Sequence, residues 1–165
     1  ASGTTPYVRR ALEHARAVGA RTALVACSPP PEETRAAADI VILPITGPEV
    51  VTGSTRLKAG TATKLVLNMI TTGAMIRLGK TYGNLMVDLR ATNAKLRDRS
   101  ERIVMEACEA TRDEARALLD SAGGTVKVAI VMHFLGGTRE DAERALEEGG
   151  GVIRRVIGRN PPPVQ

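Results

Sequence analysis

Residues 47–64 read GPEVVTGSTRLKAGTATK, a segment of glycines, hydroxyl residues and cations that runs directly into a long apolar stretch. Ser54 and Thr55 stand where they can cap the helix that this stretch predicts, which would leave backbone N–H groups pointing outward. Glycines let the backbone approach a ligand, and Arg56 and Lys58 add positive charge. This signature segment therefore predicts a phosphate held at a helix N-terminus, with an ordinary helix cap and solvated cations as the alternative.

Two long helices are predicted downstream of the signature segment. Apolar residues at helical spacing indicate a helix from Leu57 to Leu78, which Gly79 ends. It carries few charges, so we expect it to be largely buried. A more charged helix is predicted from Asn93 to Cys108. The residues expected to face inward on it are Leu96, Ile103, Val104 and Ala107.

Upstream, helical and short apolar segments alternate. A helix is predicted over Tyr7–Val18, a strand over Thr22–Cys27, a short helix over Glu32–Ala38 and a second strand over Ile40–Leu43. This order is typical of an α/β protein with a parallel sheet covered on both faces. Two strands are too few for such a sheet. We therefore expect the missing strands upstream of Ala1 or on another polypeptide, with this chain as the C-terminal portion of a longer protein.

The C-terminal region contains an internal repeat. Residues Thr111–Ile130 align without gaps on residues Thr138–Ile157. Each unit begins with a threonine and a carboxylate three residues later, the pattern of a capping box. In each unit the first helix ends at a glycine pair and a second helix follows, so Val126–Leu135 is predicted as a helix rather than a strand. Two such units are too few for a solenoid and predict a small helical bundle.

Composition narrows the classes of partner. Hydrophobic residues make up 43% and charged residues 25% of the chain, as in globular proteins. Aromatic residues are only 2%, with no tryptophan, which argues against binding single-stranded nucleic acid by stacking. The net charge of +5 is spread along the chain, so we expect anionic small molecules rather than nucleic acid as partners. Neither a signal peptide nor an apolar stretch of about twenty residues is present, which favours a cytoplasmic protein away from the membrane.

Cysteines and histidines give no metal or redox motif. Cys27 and Cys108 lack metal-ligand spacing, and Cys27 ends an apolar run where a buried thiol is expected. His14 is expected on an exposed helix face. His133 lies in an apolar run and is expected to be a structural histidine.

The signature segment resembles the pattern shared by N-acetylmuramic acid 6-phosphate etherases and glucokinase regulatory proteins. That pattern reads G-P-E, then G-S-[ST]-R-x-K-x-G-[ST] and a later lysine, and every position is present here. The resemblance continues through Lys80–Leu89 and Ala91–Leu96. With the C-terminal region included, it is greatest to the bacterial etherases and covers nearly the whole chain.

This resemblance implies a fold and a domain organisation. It implies the C-terminal part of a sugar isomerase (SIS) type doubly wound parallel sheet domain, followed by a small all-helical tail like a ubiquitin-associated (UBA) domain. The implied divisions are residues 1–90 for the SIS part, 91–110 for a connecting helix, 111–158 for the tail and 159–165 for a disordered end. A packing and dimerisation role is expected for the tail.

A second ligand loop follows from the same resemblance. Residues 2–5, Ser-Gly-Thr-Thr, resemble the second phosphate loop of SIS domains, where hydroxyls and the first amides of a helix hold the phosphate. Pro6 suits the first turn of that helix. Glu49 is expected to orient a sugar hydroxyl or to pair with Arg56, and it is also a candidate acid or base. The implied substrate-binding residues are Ser2, Gly3, Thr5, Glu49, Ser54, Thr55, Arg56 and Lys58.

The etherase reaction implied by the resemblance cleaves the D-lactyl ether of N-acetylmuramic acid 6-phosphate to N-acetylglucosamine 6-phosphate and D-lactate. It uses two carboxylates and needs no metal or redox cofactor. The family's two catalytic glutamates lie upstream of this chain, so no catalytic residue is assigned within it. The expected partners are a phosphorylated amino sugar and a second copy of the chain.

Two alternatives stay open at this point. One is a non-catalytic sugar-phosphate-binding regulatory protein, because glucokinase regulatory proteins share the signature. The other is a half-domain that assembles with a partner chain. The sequence upstream of this chain would distinguish the enzyme from the regulator. Two suitably placed glutamates there favour the enzyme, and a second SIS domain favours the regulator.

Overall fold

The structure, a computed structural model, describes residues 2–163 of the chain. Two units divide between Thr72 and Gly73. The elements are α1 (Pro6–Ala17), β1 (Ala23–Val25), α2 (Glu32–Ala36), β2 (Ile40–Ile42), α3 (Lys58–Arg77), β3 (Thr81–Tyr82), β4 (Leu85–Met86), α4 (Ala94–Cys108), α5 (Arg112–Ser121), α6 (Val126–Leu135), α7 (Arg139–Glu148) and α8 (Ile153–Ile157). Within the described range, none of the helices combines the length and the apolar character needed to cross a membrane.

Strands β1 and β2 pair in parallel, as predicted, although both are shorter than the apolar runs that predicted them. Ala23 lies opposite Ile40, and Val25 lies opposite Ile42. The Asp39 carboxylate ties the start of β1 to the turn before β2, because it accepts hydrogen bonds from the Thr22 amide (2.7 Å) and hydroxyl (2.9 Å). The mixed α/β architecture is therefore confirmed at the level of a small parallel sheet.

Helix α1 covers this sheet through a small core. Leu12 on α1 packs with Leu24 on β1 and Ala37 at the end of α2, and all three are buried. Gly19, at φ +80°, ends the segment that follows α1. The predicted helices over Tyr7–Val18 and Glu32–Ala38 are confirmed, each shifted or shortened by one or two residues.

Helix α3 forms where the sequence predicts it, but the expectation that it is largely buried is wrong for this chain. Only Ala59 and Val66 are buried on it. Its large apolar side chains are 45–66% exposed, namely Leu65, Leu67, Met69, Ile70, Met75 and Ile76. The physical reason is that apolar residues occur on all sides of α3, whereas the described residues bury only one narrow stripe of it.

Helices α4 to α8 form the second core. Its largest fully buried side chains include Val104 on α4, Ile130 on α6 and Ile153 on α8. Both predicted capping boxes are present: the Thr111 hydroxyl accepts from the Glu114 amide, and the Thr138 hydroxyl accepts from the Asp141 amide. Hydrogen bonds from Thr111 lower the pKa of Glu114. The run Val126–Leu135 is helical, as predicted, and the repeat is confirmed as two helix pairs.

A short hairpin between α3 and α4 was not predicted from the sequence. Strands β3 and β4 pair antiparallel, with Thr81 opposite Met86. Lys80 and Lys127 both form ion pairs with Asp88, and Lys127 also donates to the Gly151 carbonyl oxygen at 3.0 Å. These contacts tie the hairpin to the repeat region. The C-terminal half is therefore mostly, rather than entirely, helical.

The segment after α8 contacts this hairpin. The Tyr82 hydroxyl donates to the Asn160 carbonyl oxygen at 2.9 Å, and a Cβ on Gly83 would lie 2.7 Å from Pro161 Cβ. Residues 159–165 are predicted to form a disordered end. Residues 164 and 165 lie outside the described residues. The boundaries at residues 90, 110 and 158, and the likeness of the tail to a UBA domain, stay predictions.

Glu109 gives a first testable prediction, on stability. It ends α4 in the left-handed conformation (φ 53°), which costs a residue with a side chain about 1 kcal/mol. We expect Glu109→Gly to raise the free energy of unfolding of the second unit by about 0.5–1 kcal/mol in urea denaturation. Glu106→Gly, inside α4, is the control and should lower it by about 1 kcal/mol. A destabilised Glu109→Gly variant would contradict the prediction.

Candidate functional site

The predicted site residues lie in two segments of the first unit. One is residues 2–5, called the N-terminal loop below, which precedes α1. The other is the signature segment, which leads into α3.

The N-terminal loop is built around a glycine that no other residue could replace without strain. Gly3 is buried at φ +72°, and a Cβ there would lie 2.8 Å from Pro30 Cβ. Beside it, the Ser2 and Thr4 hydroxyl oxygens lie 2.7 Å apart. The loop is thus folded tightly against Pro30, and two of its hydroxyl groups lie within hydrogen-bond distance of each other.

Thr5 is the N-cap residue of α1, but its side chain makes no capping hydrogen bond. Pro6 occupies the first turn, as predicted, and the Thr5 carbonyl oxygen accepts from the Val8 amide at 3.0 Å. The N-terminus of this 12-residue helix therefore keeps its positive partial charge without a side-chain acceptor among residues 2–163. That arrangement favours binding of an anion at the N-terminus of α1.

The prediction that Ser54 and Thr55 cap α3 is wrong. The cap is Glu49, whose Oε2 accepts from the Lys58 amide at 3.1 Å and whose Oε1 accepts from the Ala59 amide at 2.9 Å. These hydrogen bonds lower the pKa of Glu49. A carboxylate competes better than a hydroxyl for helix N-terminal amides because it also interacts favourably with the helix dipole. Among the described residues, Glu49 forms no ion pair with Arg56.

The hydroxyls and cations of the signature segment are left accessible. Ser54 is half-buried, whereas Thr55, Arg56 and Lys58 are exposed. Within residues 2–163, the Ser54, Thr55 and Arg56 side chains take part in no hydrogen bond or ion pair. The Lys58 ammonium donates to the Pro48 carbonyl oxygen at 2.9 Å. Arg56 is therefore a charged group held near the start of α3 without an internal partner in the part of the chain described.

Both segments touch the few residues that follow β1. Gly3 packs against Pro30, as described above. The Cys27 thiol, buried as predicted, donates to the Ala59 carbonyl oxygen in the first turn of α3 and lies 3.5 Å from the Thr63 hydroxyl. Residues 27–30 thus contact the N-terminal loop and the start of α3. They lie at the carboxyl end of a parallel strand, the edge where α/β proteins bind ligands.

Both histidines, and the cavity that one of them lines, lie outside these two segments. His14 is exposed, as predicted, but His133 is exposed as well, so its prediction as a structural histidine is wrong. It lines a cavity of about 460 Å³ between α5 and α6 that sequence reasoning missed. The remaining lining residues include Glu109, Glu114, Leu118 and Met132. No group of three potential metal ligands occurs within residues 2–163.

Comparison with known proteins agrees with the signature. No protein-family model matches the chain. It is 57% identical over 136 residues to the N-acetylmuramic acid 6-phosphate etherase of Photorhabdus laumondii, which covers 82% of this chain and 45% of that protein. The etherases of Klebsiella aerogenes and Rhodopirellula baltica are 60% and 56% identical over 132 residues, 80% of this chain.

The chain corresponds to only part of the length of these relatives. It spans less than half of their length, 44% of the Klebsiella aerogenes protein and 43% of the Rhodopirellula baltica protein. Over about four-fifths of its own length, the chain is therefore a relative of the N-acetylmuramic acid 6-phosphate etherases.

Proposed function

We propose that this chain forms part of an etherase, a lyase that cleaves the D-lactyl ether of N-acetylmuramic acid 6-phosphate in cell-wall amino sugar recycling. The observation that carries the proposal is the identity of 56–60% to proteins that bear this name. The two segments around the end of β1 support it, because they place a helix N-terminus and an exposed cation on the same part of the fold.

In this proposal the N-terminal loop binds the phosphate. Within residues 2–163 the Thr5 hydroxyl forms no capping hydrogen bond, and Ser2 and Gly3 belong to the same loop. The α1 N-terminus contributes its partial positive charge, which stabilises a dianion more than a singly charged group. The helix is 12 residues long, enough for a developed dipole.

Arg56 binds the carboxylate of the lactyl group. Its planar guanidinium can donate two parallel hydrogen bonds to a carboxylate, which a lysine cannot do. Its exposure and its lack of an ion pair within the described residues leave it available for this role. Ser54, Thr55 and Lys58 contact the sugar from the same segment.

The chemistry is an elimination followed by hydration. Opening of the sugar ring gives an aldehyde, which makes the C2 proton acidic. A base removes this proton, lactate leaves from C3, and water adds to the unsaturated sugar. The reaction needs a carboxylate base and a carboxylic acid with separated pKa values, and no metal or redox cofactor. Glu49, with its lowered pKa and both oxygens engaged by amides, is a poor candidate for either role.

We assign the acid and base to sequence upstream of this chain. The assembled protein is proposed to be a cytoplasmic homodimer that binds neither nucleic acid nor membranes. The chain alone is therefore expected to release no lactate from N-acetylmuramic acid 6-phosphate. Turnover of about 1 per second or more, a rate typical of enzymes, would place the catalytic groups within this chain and overturn the assignment.

Arg56 gives the sharper test of the site. In the protein extended to the length of its relatives, Arg56→Ala should weaken binding of N-acetylmuramic acid 6-phosphate by about 1.5–3 kcal/mol, the loss of a charge-assisted hydrogen bond. Calorimetry measures this directly. Arg77→Ala, which removes an exposed cation at the other end of α3, is the control and should bind like the parent. Unchanged affinity of Arg56→Ala would remove the signature segment from the ligand site.

A further inference from the structure

Glu49 is the acidic member of the Gly47-Pro48-Glu49 triplet, and the structure gives it a defined role that the sequence did not indicate. Its two carboxylate oxygens are divided between two amides, Oε2 with Lys58 N–H at 3.1 Å and Oε1 with Ala59 N–H at 2.9 Å. These are the first two residues of α3. The side chain thus occupies the position that an external anion would take at this helix N-terminus.

The same contact closes the chain into a loop. Glu49 and Lys58 meet through the carboxylate and the amide, and the Lys58 ammonium returns to the Pro48 carbonyl oxygen at 2.9 Å. Both ends of residues 50–57 are therefore fixed by hydrogen bonds. Among the described residues, Ser54, Thr55 and Arg56 add no side-chain hydrogen bond of their own. Their placement consequently rests on the closure made by Glu49 and on one turn inside the loop, where the Ser54 amide donates to the Val51 carbonyl oxygen at 3.0 Å.

We propose that Glu49 is a positioning and specificity-determining residue, which caps α3, holds residues 50–57 in place and keeps external anions away from the α3 N-terminus. The specificity part rests on the proposed function. If phosphate cannot reach the α3 amides, it is directed to the N-terminal loop, and Arg56 stays free for a second acidic group. A ligand with two separated acidic groups then fits better than a ligand with a phosphate alone.

The hydrogen bonds of Glu49 determine how its contribution to stability changes with pH. Backbone hydrogen bonds from Ala59 and Lys58, with a smaller contribution from the Lys58 charge, hold the pKa of Glu49 below the usual value for glutamate. A carboxylate with a lowered pKa stabilises the fold above the unfolded-state pKa. This contribution is lost as the pH falls through the folded-state pKa.

The test uses the chain as it is and needs no sugar phosphate. In the parent, the amide proton signals of Lys58 and Ala59 should shift with pH as Glu49 is protonated, below the usual pKa of glutamate. They should not respond to added inorganic phosphate. In Glu49→Ala the pH dependence should disappear, and the two signals should shift saturably with phosphate or formate, because the vacated amides now donate to an external anion.

Two further variants serve as controls for this experiment. Glu49→Gln retains the shape but not the charge, so it should abolish the pH dependence even if Glu49→Ala fails to fold. Glu32→Ala removes an exposed carboxylate from the first turn of α2 and should leave the Lys58 and Ala59 signals as in the parent. Persisting titration in Glu49→Gln, or a phosphate response in the parent equal to that of Glu49→Ala, would overturn the proposal. Neither outcome depends on etherase activity.

Discussion

Replacing Gly79 by alanine should lower the free energy of unfolding of the second unit by about 2–5 kcal/mol. Two costs combine. Gly79 has φ +69°, where a residue with a Cβ is strained by about 1–2 kcal/mol. The new Cβ would also lie 2.7 Å from the Gly151 carbonyl oxygen and 2.9 Å from Val152 Cγ2. Overpacking of this kind costs about 1–3 kcal/mol, and the closest atom belongs to backbone that cannot move independently.

Gly158→Ala is the matched control for this prediction. Gly158 has nearly the same backbone angle, φ +66°, but a Cβ there would have no atom within 4 Å. It should therefore lose only the conformational part, about 1–2 kcal/mol. Urea denaturation of both variants separates the two costs. If both lost the same stability, the close approach of Gly79 to Gly151 would not exist in solution.

Truncation of Ile130 should have a comparable effect, a loss of about 3–5 kcal/mol in the Ile130→Ala variant. Ile130 is fully buried and is among the largest completely enclosed side chains of the α4–α8 core. Removing its outer carbons forfeits their burial and leaves a cavity that close-packed neighbours fill only partly.

The repeat supplies its own control. Ile157 is the counterpart of Ile130 in the second repeat, but it is only partly buried. Ile157→Ala should therefore cost about 1–2 kcal/mol, because less apolar surface returns to water. Chemical denaturation of the two variants gives the comparison. Equal losses would show that the two repeats contribute equally to the core, which would contradict the structure.

Local patterns predicted the elements that depend on local chemistry. Capping boxes located α5 and α7, and glycines marked the ends of α1 and α3, because these signals act within one turn of the helix end. The hairpin at Thr81–Met86 escaped prediction because its strands have two residues each, too few for a hydrophobic period to register. The burial of α3 was mispredicted because burial depends on what packs against a helix, which its own sequence does not contain.

The residue types of the candidate site could be predicted from the sequence, but the contacts and hydrogen bonds between them could not. The signature segment and the N-terminal loop were identified from their residue types, and the structure attaches both to residues 27–30. The role of Glu49 was missed because the cap is separated from the helix it serves by a loop, outside the short spacing of ordinary capping motifs. A carboxylate shortly before a helix with no acidic residue in its first turn is the signal that could have revealed it.

The burial of Tyr82 has a practical consequence for spectroscopy. The chain has two tyrosines and no tryptophan, and each unit contains one tyrosine. Tyr7 is 80% exposed, whereas Tyr82 is 3% exposed, and burial raises the pKa of its hydroxyl. Because tryptophan cannot mask the signal, ultraviolet difference spectra of the unmodified chain record the transfer of Tyr82 into water. Tyr7 stays nearly silent, so unfolding of the second unit can be followed without an engineered probe.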